Sequence, residues 1–296
     1  DYKSTANTKD APVVDTKADT EAAPVDGTIE VFGGVVDAYT MTEAVKDGIT
    51  VNLVYDGRAA KVMLNQDKVR QIEEYYAQCE LEGANEHQVE ESQKAVAKME
   101  VIIGDPDRLR AVAEDFIKHY ETRVAEGATV AGKAMFVCSN RNIAYDFYKI
   151  VKELRPEWTE KKICDDGVVL SEKDKKELKP MEKIKLVMTR NKDDEKDLFD
   201  MLGTKEDRKE FDRQFKNPKS NFKIAIVVDM WLTGFDVPEL DTIYIDKPIQ
   251  QHTLIQTISR VNRVCEGKDK GLIVDYIGIK KNMNTALKKY TNFESE

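Results

Sequence analysis

The chain has 296 residues, of which 41% are hydrophobic and 34% charged, and its formal net charge is −9 at pH 7. This length and hydrophobic content allow one large domain or two ordinary domains with a sizeable core. No apolar run approaches the roughly 18 residues of a membrane span, and the start DYKSTANTKD lacks the order of a signal peptide, so we expect a cytoplasmic protein without membrane contact.

The charge is unevenly distributed, with −12 over residues 1–130 and +3 over residues 131–296. The acidic total argues against a globally basic nucleic-acid-binding protein, but the second part of the chain can still face phosphates. None of the four cysteines lies in a Cys-x-x-Cys pair, and the chain has only three histidines. We therefore expect reduced, buried thiols and no metal site.

The first part of the chain is predicted to be an arm followed by a connecting segment. Residues 1–28 are rich in Ala, Asp, Thr, Lys and Pro without apolar periodicity, which predicts a flexible arm or linker. Residues 29–130 are predicted to connect it to the next domain. Within them, residues 49–55 (ITVNLVY) are strand-like and residues 63–120 carry interrupted helical patterns, so this section is expected to be acidic and mainly helical.

From residue 131 onwards, apolar runs of strand length alternate with charged helical segments. Five runs are strand candidates: KAMFVCSN (133–140), KIKLVMT (183–189), FKIAIVVD (222–229), TIYID (242–246) and GLIVDYI (271–277). Helices are predicted at 143–154, at 195–215 in two pieces broken near Gly203, and at 254–264. This alternation predicts an α/β domain at residues 131–280, with a parallel sheet covered on both faces. Residues 281–296 are predicted to begin a C-terminal helical extension.

The loop after the first of these strands is a candidate ligand site, since ligands on parallel sheets bind at the carboxyl ends of strands. Ser139 and Arg141 lead directly into a helix. A hydroxyl, the amides of a helix start and an arginine suit contact with a nucleic-acid phosphate. An ordinary N-cap at Ser139 or Asn140 explains the same residues equally well.

The loop after the third strand reads Asp229-Met-Trp-Leu-Thr233-Gly234-Phe-Asp236. Gly234 can adopt backbone angles that other residues avoid. A carboxylate at Asp236 can accept hydrogen bonds from sugar hydroxyls or hold an arginine in place. The alternative is a surface turn that Asp236 merely caps.

The stretch Gln256-Thr-Ile-Ser-Arg260-Val-Asn-Arg263 predicts a short helix with these three polar residues on one face. Offsets of four and seven residues bring helical side chains within roughly 60° of one another. Two arginines held as a rigid pair suit a polyanion such as a nucleoside triphosphate, because each offers several donors and keeps its charge. The alternative is an amphipathic helix with a solvated basic face.

One segment nearly matches a phosphate-binding loop. Gly127-Ala-Thr-Val-Ala-Gly132-Lys133-Ala134 has its glycines and lysine, but Ala134 replaces the hydroxyl that binds magnesium, and Lys133 begins a strand. No other GxxxxGK[ST] sequence occurs in the 296 residues. We therefore predict no site here for the β- and γ-phosphates of a nucleotide with their metal.

Read in order, several blocks resemble the second RecA-like lobe of superfamily-two helicases: CSNRNIAYDFY, IAIVVDMWLTGFDVPELDTIYIDKP, and LIQTISRVNRV followed by GKDKGLIVDYIG. The last two are similar to the motor (restriction, R) subunit of type I restriction-modification enzymes. VFGGVVDAYTMTEAVKDGITVNLVYDGR resembles the segment that follows the first motor lobe there. The resemblance covers residues 30–290 and implies a RecA-like lobe of the P-loop NTPase type, preceded by an acidic, mainly helical segment.

The resemblance implies roles for residues that match the family's motifs. Gln256, Arg260 and Arg263 fall on motif six, where Arg263 would be the finger that reaches the γ-phosphate across the lobe interface and Arg260 its neighbour. Thr257 and Ser259 stand where many relatives have Arg and Gly. Gly234 and Asp236 fall on motif five, near the ribose and phosphates. Residues on the nucleic-acid side would be Asp229 and Thr233 of motif five, and Ser139 and Arg141 of motif four.

The function that this resemblance implies is part of an ATP-dependent DNA translocase subunit of a type I restriction enzyme. ATP and Mg²⁺ would bind mainly to the first lobe, and the partners would be double-stranded DNA and the modification (methyltransferase) and specificity subunits. Without the phosphate loop, the metal-binding acids and the nuclease domain, the chain alone is expected to be inactive. Two alternatives stay open: the second lobe of another superfamily-two DNA helicase, and a non-catalytic DNA- or protein-binding module.

Overall fold

The computed structural model describes residues 41–59, 99–249 and 251–279, which contain a six-stranded sheet. Every neighbouring pair of strands is parallel. The strands are β1 (Asn52–Gly57), β2 (Lys133–Cys138), β3 (Ile184–Val187), β4 (Ile224–Val227), β5 (Leu240–Asp246) and β6 (Lys270–Asp275). Their order across the sheet is β1-β6-β5-β2-β4-β3.

The helices lie mainly between the strands in sequence. They are α1 (Met41–Lys46), α2 (Pro106–Ala125), α3 (Arg141–Leu154), α4 (Glu172–Glu177), α5 (Lys196–Leu202), α6 (Lys205–Lys216) and α7 (Gln251–Ile258), with a 3₁₀ helix at Pro156–Thr159. The predicted break between α5 and α6 is confirmed. Gly203 adopts a positive φ of 65° there, and Thr204 and Asp207 form a capping box that starts α6.

Helices cover both faces of the sheet, as the side chains of β2 show. On one face, Phe136 stacks on Phe147 of α3 with ring centroids 4.0 Å apart and meets Phe116 of α2 edge-on at 5.2 Å. On the other face, the ammonium of Lys133 lies 5.0 Å from the ring centroid of Phe215 in α6. Because successive strand side chains point to opposite faces, these contacts confirm the predicted α/β class with a covered parallel sheet.

The sheet extends upstream of the predicted domain boundary at residue 131. Strand β1 pairs with β6 along its whole length, from Asn52 opposite Lys270 to Gly57 opposite Asp275. Helix α2 also belongs to this core, through Phe116 and its neighbours. The sequence indicated a strand near residues 49–55 but not its partner, since parallel pairing joins segments far apart in sequence.

Several sequence predictions fall on residues that the structure does not describe: the arm at 1–28, the helical patterns at 63–98 and the extension at 281–296. Of the cysteines within the described ranges, Cys138 is buried and free, whereas Cys164 and Cys265 are partly exposed, so only Cys138 matches the expected burial. No helix in the described part is both long and apolar enough to cross a bilayer.

Candidate functional site

Helix α7 ends at Ile258, so Arg260 and Arg263 lie in a loop beyond it. The prediction of one helix continuing to residue 264 was therefore wrong. The backbone turns where the N–H of Arg260 donates to the carbonyl of Thr257 at 3.2 Å, and Arg263 then forms an antiparallel bridge with Thr50. Pairing with the segment before β1 replaces the helical pattern that local periodicity favoured.

The loop still places Arg260 beside the candidate loop after β4. Its Nη1 donates to the carbonyl oxygen of Phe235 at 2.6 Å, and its Nε donates to the carbonyl oxygen of Gln256 at 3.0 Å. Its Nη2 is 3.3 Å from the hydroxyl of Ser259. These contacts fix the guanidinium between the end of α7 and the Gly234–Asp236 turn.

Arg263 lies at the same place and is more exposed. Its Nε is 3.5 Å from a carboxylate oxygen of Asp236, and the side chains of Arg263 and Asp236 are 47% and 58% exposed. Gly234 has a φ of 67° with open space around it, so glycine serves this turn through its backbone freedom. The structure thus brings Gln256, Arg260, Arg263, Gly234 and Asp236 together, although not on one helix.

The local charge of this cluster favours an anion. Burial, followed by the charge of Arg263, lowers the pKa of Arg260 from its ordinary value, and Asp236 opposes this shift. An arginine remains protonated despite such a shift. Two guanidiniums near a single carboxylate leave an excess positive charge, so an anion between the arginines would relieve their repulsion.

Sequence reasoning missed Trp231 as part of this site. Trp231 is the one non-glycine residue in the described ranges with positive φ, at 68°. Its ring stacks on that of Phe235 with centroids 4.1 Å apart and an interplanar angle of 2°. The strained backbone and the stack hold Phe235, whose carbonyl binds Arg260. A tryptophan four residues before a phenylalanine in a glycine-containing loop was the available signal.

Asp229 and Thr233, predicted to face nucleic acid, are exposed at the end of β4. The carboxylate of Asp229 is paired with Lys247, whose ammonium also donates to the carbonyl of Val228 at 2.9 Å. Lys247 follows β5 directly, so this contact ties the carboxyl ends of two strands together.

Ser139 and Arg141 make intramolecular contacts at the ends of β2, β3 and β5. The hydroxyl of Ser139 donates to the carbonyl of Asp246 at 2.9 Å. Arg141 donates to the carbonyl of Thr189 at 2.6 Å and to both carboxylate oxygens of Asp194 at 2.5 and 2.6 Å. Helix α3 is capped by Asn140, whose side chain accepts from the N–H of Ile143 at 3.0 Å, as the N-cap alternative predicted.

A buried ion pair lies at the carboxyl end of β5, and the sequence did not indicate it. Arg108 of α2 and Asp246 of β5 are each 0% exposed, with Nη2 2.5 Å from Oδ1 and Nη1 3.1 Å from Oδ2. The guanidinium also donates to the carbonyls of Ile103 and Tyr276, at 3.1 and 3.2 Å. These contacts join α2 to the carboxyl ends of β5 and β6.

Lys133 does not face a phosphate. It begins β2, is 1% exposed, and donates from its ammonium to the carbonyl of Phe222 at 2.5 Å. Burial, and then the charge of Lys223, lowers its pKa well below the ordinary value. This placement agrees with the sequence argument against a phosphate-binding loop at Gly132-Lys133-Ala134.

Comparisons with known proteins point to one family. Residues 130–278 match the family model described as type I restriction enzyme subunit R domain 3, and residues 15–90 match that of the SWI2/SNF2 ATPase. The chain is similar to the type I restriction enzyme HindI endonuclease subunit of Haemophilus influenzae, with 37% identity over 268 residues, covering 90% of this chain and 23% of that protein.

A second relative is the MjaIXP protein of Methanocaldococcus jannaschii, assigned as a type I restriction enzyme endonuclease subunit, with 36% identity over 277 residues, or 92% of this chain and 24% of that one. The chain thus spans about a quarter of the length of these relatives. A fragment structure from Vibrio vulnificus YJ016, assigned as an HsdR subunit of a type I restriction enzyme, has 12% identity and a TM-score of 0.49, covering 88% of this chain and 39% of that one.

Proposed function

This chain belongs to the R-subunit family of type I restriction enzymes, and on that premise we propose that it is part of an ATP-dependent DNA translocase subunit. The observation that carries the proposal is the pairing of Arg260 and Arg263 with the Gly234–Asp236 turn, beside the first residues of β1 and β6. The arginines would face the triphosphate of an ATP molecule held mainly by another lobe. The whole subunit would act in the cytoplasm.

Arg263 would stabilise the charge that develops on the transferring phosphoryl group. It is half exposed, and Asp236 lies near its Nε, so the terminal nitrogens can point outward to an anion. Arginine fingers contribute roughly 10³- to 10⁵-fold in rate, or about 4–7 kcal/mol of barrier. Arg260, anchored by two backbone carbonyls, would hold the neighbouring positive charge in place.

The Mg²⁺ that accompanies ATP would bind mainly to the first lobe, as the family resemblance implies. Within the described ranges, no three His, Cys, Asp or Glu side chains converge in a way that can hold a metal ion. Bound Mg²⁺ would neutralise charge on the β- and γ-phosphates. Arg260 and Arg263 would act from the side of the phosphates opposite the metal ion. They would orient the transferring phosphoryl group and compensate its charge without binding the metal themselves.

Double-stranded DNA would lie towards Ser139, Arg141, Asp229 and Thr233, at the carboxyl ends of β2 and β4. The contacts of Ser139 and Arg141 would be to the DNA backbone, since these two residues lie at the start of α3. The R-subunit family supports modification and specificity subunits as further partners, with the DNA target read by the specificity subunit.

The test is Arg263→Ala in the complete subunit assembled with its partner subunits. DNA-stimulated ATP hydrolysis should fall by roughly 10³-fold or more while DNA binding is retained, because the arginine acts on transition-state charge. Arg213→Ala is the matched control: this α6 arginine is 62% exposed and pairs with Glu210, so its loss should leave hydrolysis unchanged.

Unchanged hydrolysis in Arg263→Ala would contradict the motor assignment and favour a non-catalytic DNA- or protein-binding module. A different superfamily-two helicase would show the same arginine dependence. An assay of ATP-dependent DNA cleavage, with the modification and specificity subunits present, distinguishes this helicase alternative from the proposal. The helicase alternative predicts no cleavage.

A further inference from the structure

The loop that carries the two arginines is held from one side by the segment entering β1. The N–H of Val51 donates to the carbonyl of Asn262 at 2.8 Å, and Thr50 forms an antiparallel bridge with Arg263. Val261 and Asn262 are 0% and 6% exposed, whereas Arg263 points outward. The backbone between the arginines is therefore packed inside, and only their side chains reach the surface.

Gly271 of β6 makes a second close contact with the same loop. A Cβ at Gly271 would lie 2.2 Å from the carbonyl oxygen of Val261, 2.7 Å from its carbonyl carbon and 3.1 Å from Leu53 Cδ2. This is the closest approach at any described glycine, and it involves backbone that cannot rotate away. Gly271 has no positive φ, so glycine is needed here for space rather than for its backbone angles.

Helix α1 is joined tightly to this contact. The N–H groups of Ile49 and Thr50 both donate to the carbonyl of Ala44, at 2.8 and 3.1 Å, and Gly48 turns the chain with a φ of 70°. Three residues therefore separate the end of α1 from the bridge with Arg263. A shift of α1 would therefore be transmitted to the arginine loop through a short connection held by backbone hydrogen bonds.

We propose that residues 49–51 and Gly271 form an arginine clamp, a pair of positioning elements that set the placement of Arg260 and Arg263 for ATP hydrolysis. The inference rests on the proposed function of the arginines. The clamp makes the chain entering β1 a determinant of the hydrolysis rate without contact with nucleotide. A misplacement of about 1 Å at such a distance from the chemistry can cost roughly 100-fold in rate.

The first test is Gly271→Ala in the complete subunit, since the added methyl forces the Val261 backbone to move. The kcat for DNA-stimulated ATP hydrolysis should fall roughly 10- to 100-fold, with the KM for ATP within about twofold of its original value. Leu272→Ala is the control, because this neighbouring β6 residue is 5% exposed and its truncation destabilises the sheet without pushing on the loop.

A second pair of variants tests the contact between the loop and the segment entering β1. Val51→Pro removes the N–H that binds Asn262, whereas Val51→Ala keeps it. The proline variant should show the same selective loss of kcat and the alanine variant should not. The preceding Thr50 lies in a β-bridge, the kind of backbone conformation that residues before proline favour.

Arg263→Ala, measured in parallel, separates failure of the clamp from failure of the proposed function. If Arg263→Ala loses hydrolysis but Gly271→Ala and Val51→Pro keep it, or lose no more than Leu272→Ala, the clamp is overturned alone. If Arg263→Ala keeps full hydrolysis, the proposed function fails first. If neither Gly271→Ala nor Val51→Pro folds, the contacts maintain the lobe rather than the arginines, and the clamp is likewise overturned.

Discussion

Arg260 and Arg263 differ in how firmly the fold holds them. The guanidinium of Arg260 binds two backbone carbonyls, whereas Arg263 is half exposed and has a carboxylate 3.5 Å from its Nε. A side chain that contacts the reacting phosphate must be exposed and able to move towards it. A side chain that supplies a fixed positive charge must be held by hydrogen bonds. This difference matches the proposed division between Arg263 as the finger and Arg260 as its support.

His119 of α2 provides a prediction about pH. Burial, followed by the charge of Arg58, lowers the pKa of His119 to about 4, and Asp56 opposes this shift. Its Nδ1 lies 2.9 Å from the hydroxyl of Tyr244. Because the folded pKa lies below the unfolded value near 6.5, the unfolded chain gains protons first as the pH falls. Stability from neutral His119 is complete above pH 6.5 and is lost towards pH 4.

The expected loss between pH 6.5 and 5 is at most about 2 kcal/mol in the free energy of unfolding, measured by urea denaturation. His119→Gln removes the titrating group and should flatten this part of the profile. An equally steep fall in His119→Gln would show that other groups dominate. Four charged groups near the ring also influence the pKa of His119: Asp56, Arg58, Asp115 and Arg123.

The sequence predicted which side chains lie close together in the candidate site, but it did not predict the backbone conformation that brings them there. The spacing of Gln256, Arg260 and Arg263 indicated one helix face, and the structure brings them together through a turn and a bridge to Thr50. Helical periodicity describes a local preference and carries no information about a distant pairing partner. For the same reason, the close approach of Gly271 to Val261 was not predictable.

Among the elements, α2 is fixed to the sheet by the buried pair of Arg108 and Asp246. Four donor contacts from the Arg108 guanidinium reach Asp246 and two backbone carbonyls. Such a pair gains little over apolar packing, but removal of one partner leaves an uncompensated charge in the core. We therefore expect the pair to specify where α2 docks.

A double-mutant cycle tests this docking role. Arg108→Met and Asp246→Leu should each lower the free energy of unfolding by about 3–5 kcal/mol, because each leaves its partner buried and unpaired. The double variant should lose much less than the two single losses together. Additive losses, measured by denaturant unfolding, would show that the two residues stabilise the fold independently.

Element types were more predictable than their arrangement. Helices α3, α5 and α6 follow from apolar periodicity with polar caps, and β2 to β6 follow from buried apolar runs. The place of β1 beside β6 was not predicted, because its partner lies more than 200 residues along the chain. This pairing also brings the segment before β1 next to the loop that carries Arg260 and Arg263.

At the scale of the whole molecule, the candidate ATP site is one-sided. The arginine cluster has an excess of positive charge, while Lys133, in the nearest match to a phosphate loop, is buried against Phe222. The chain spans about a quarter of the length of these relatives. Under the proposed function, ATP would be bound by two lobes and hydrolysed only when they close.

The proposal that Arg263 completes an ATP site held mainly by another lobe is tested by single-turnover ATP hydrolysis in the complete, DNA-bound subunit. The original protein is compared with Arg263→Ala. ATP binding, measured in the same samples, should change by no more than a few-fold, since the other lobe holds most of the nucleotide. The chemical step should slow by roughly 10³- to 10⁵-fold, as expected for loss of an arginine finger. A chemical step of unaltered rate would contradict the placement of Arg263 at the γ-phosphate.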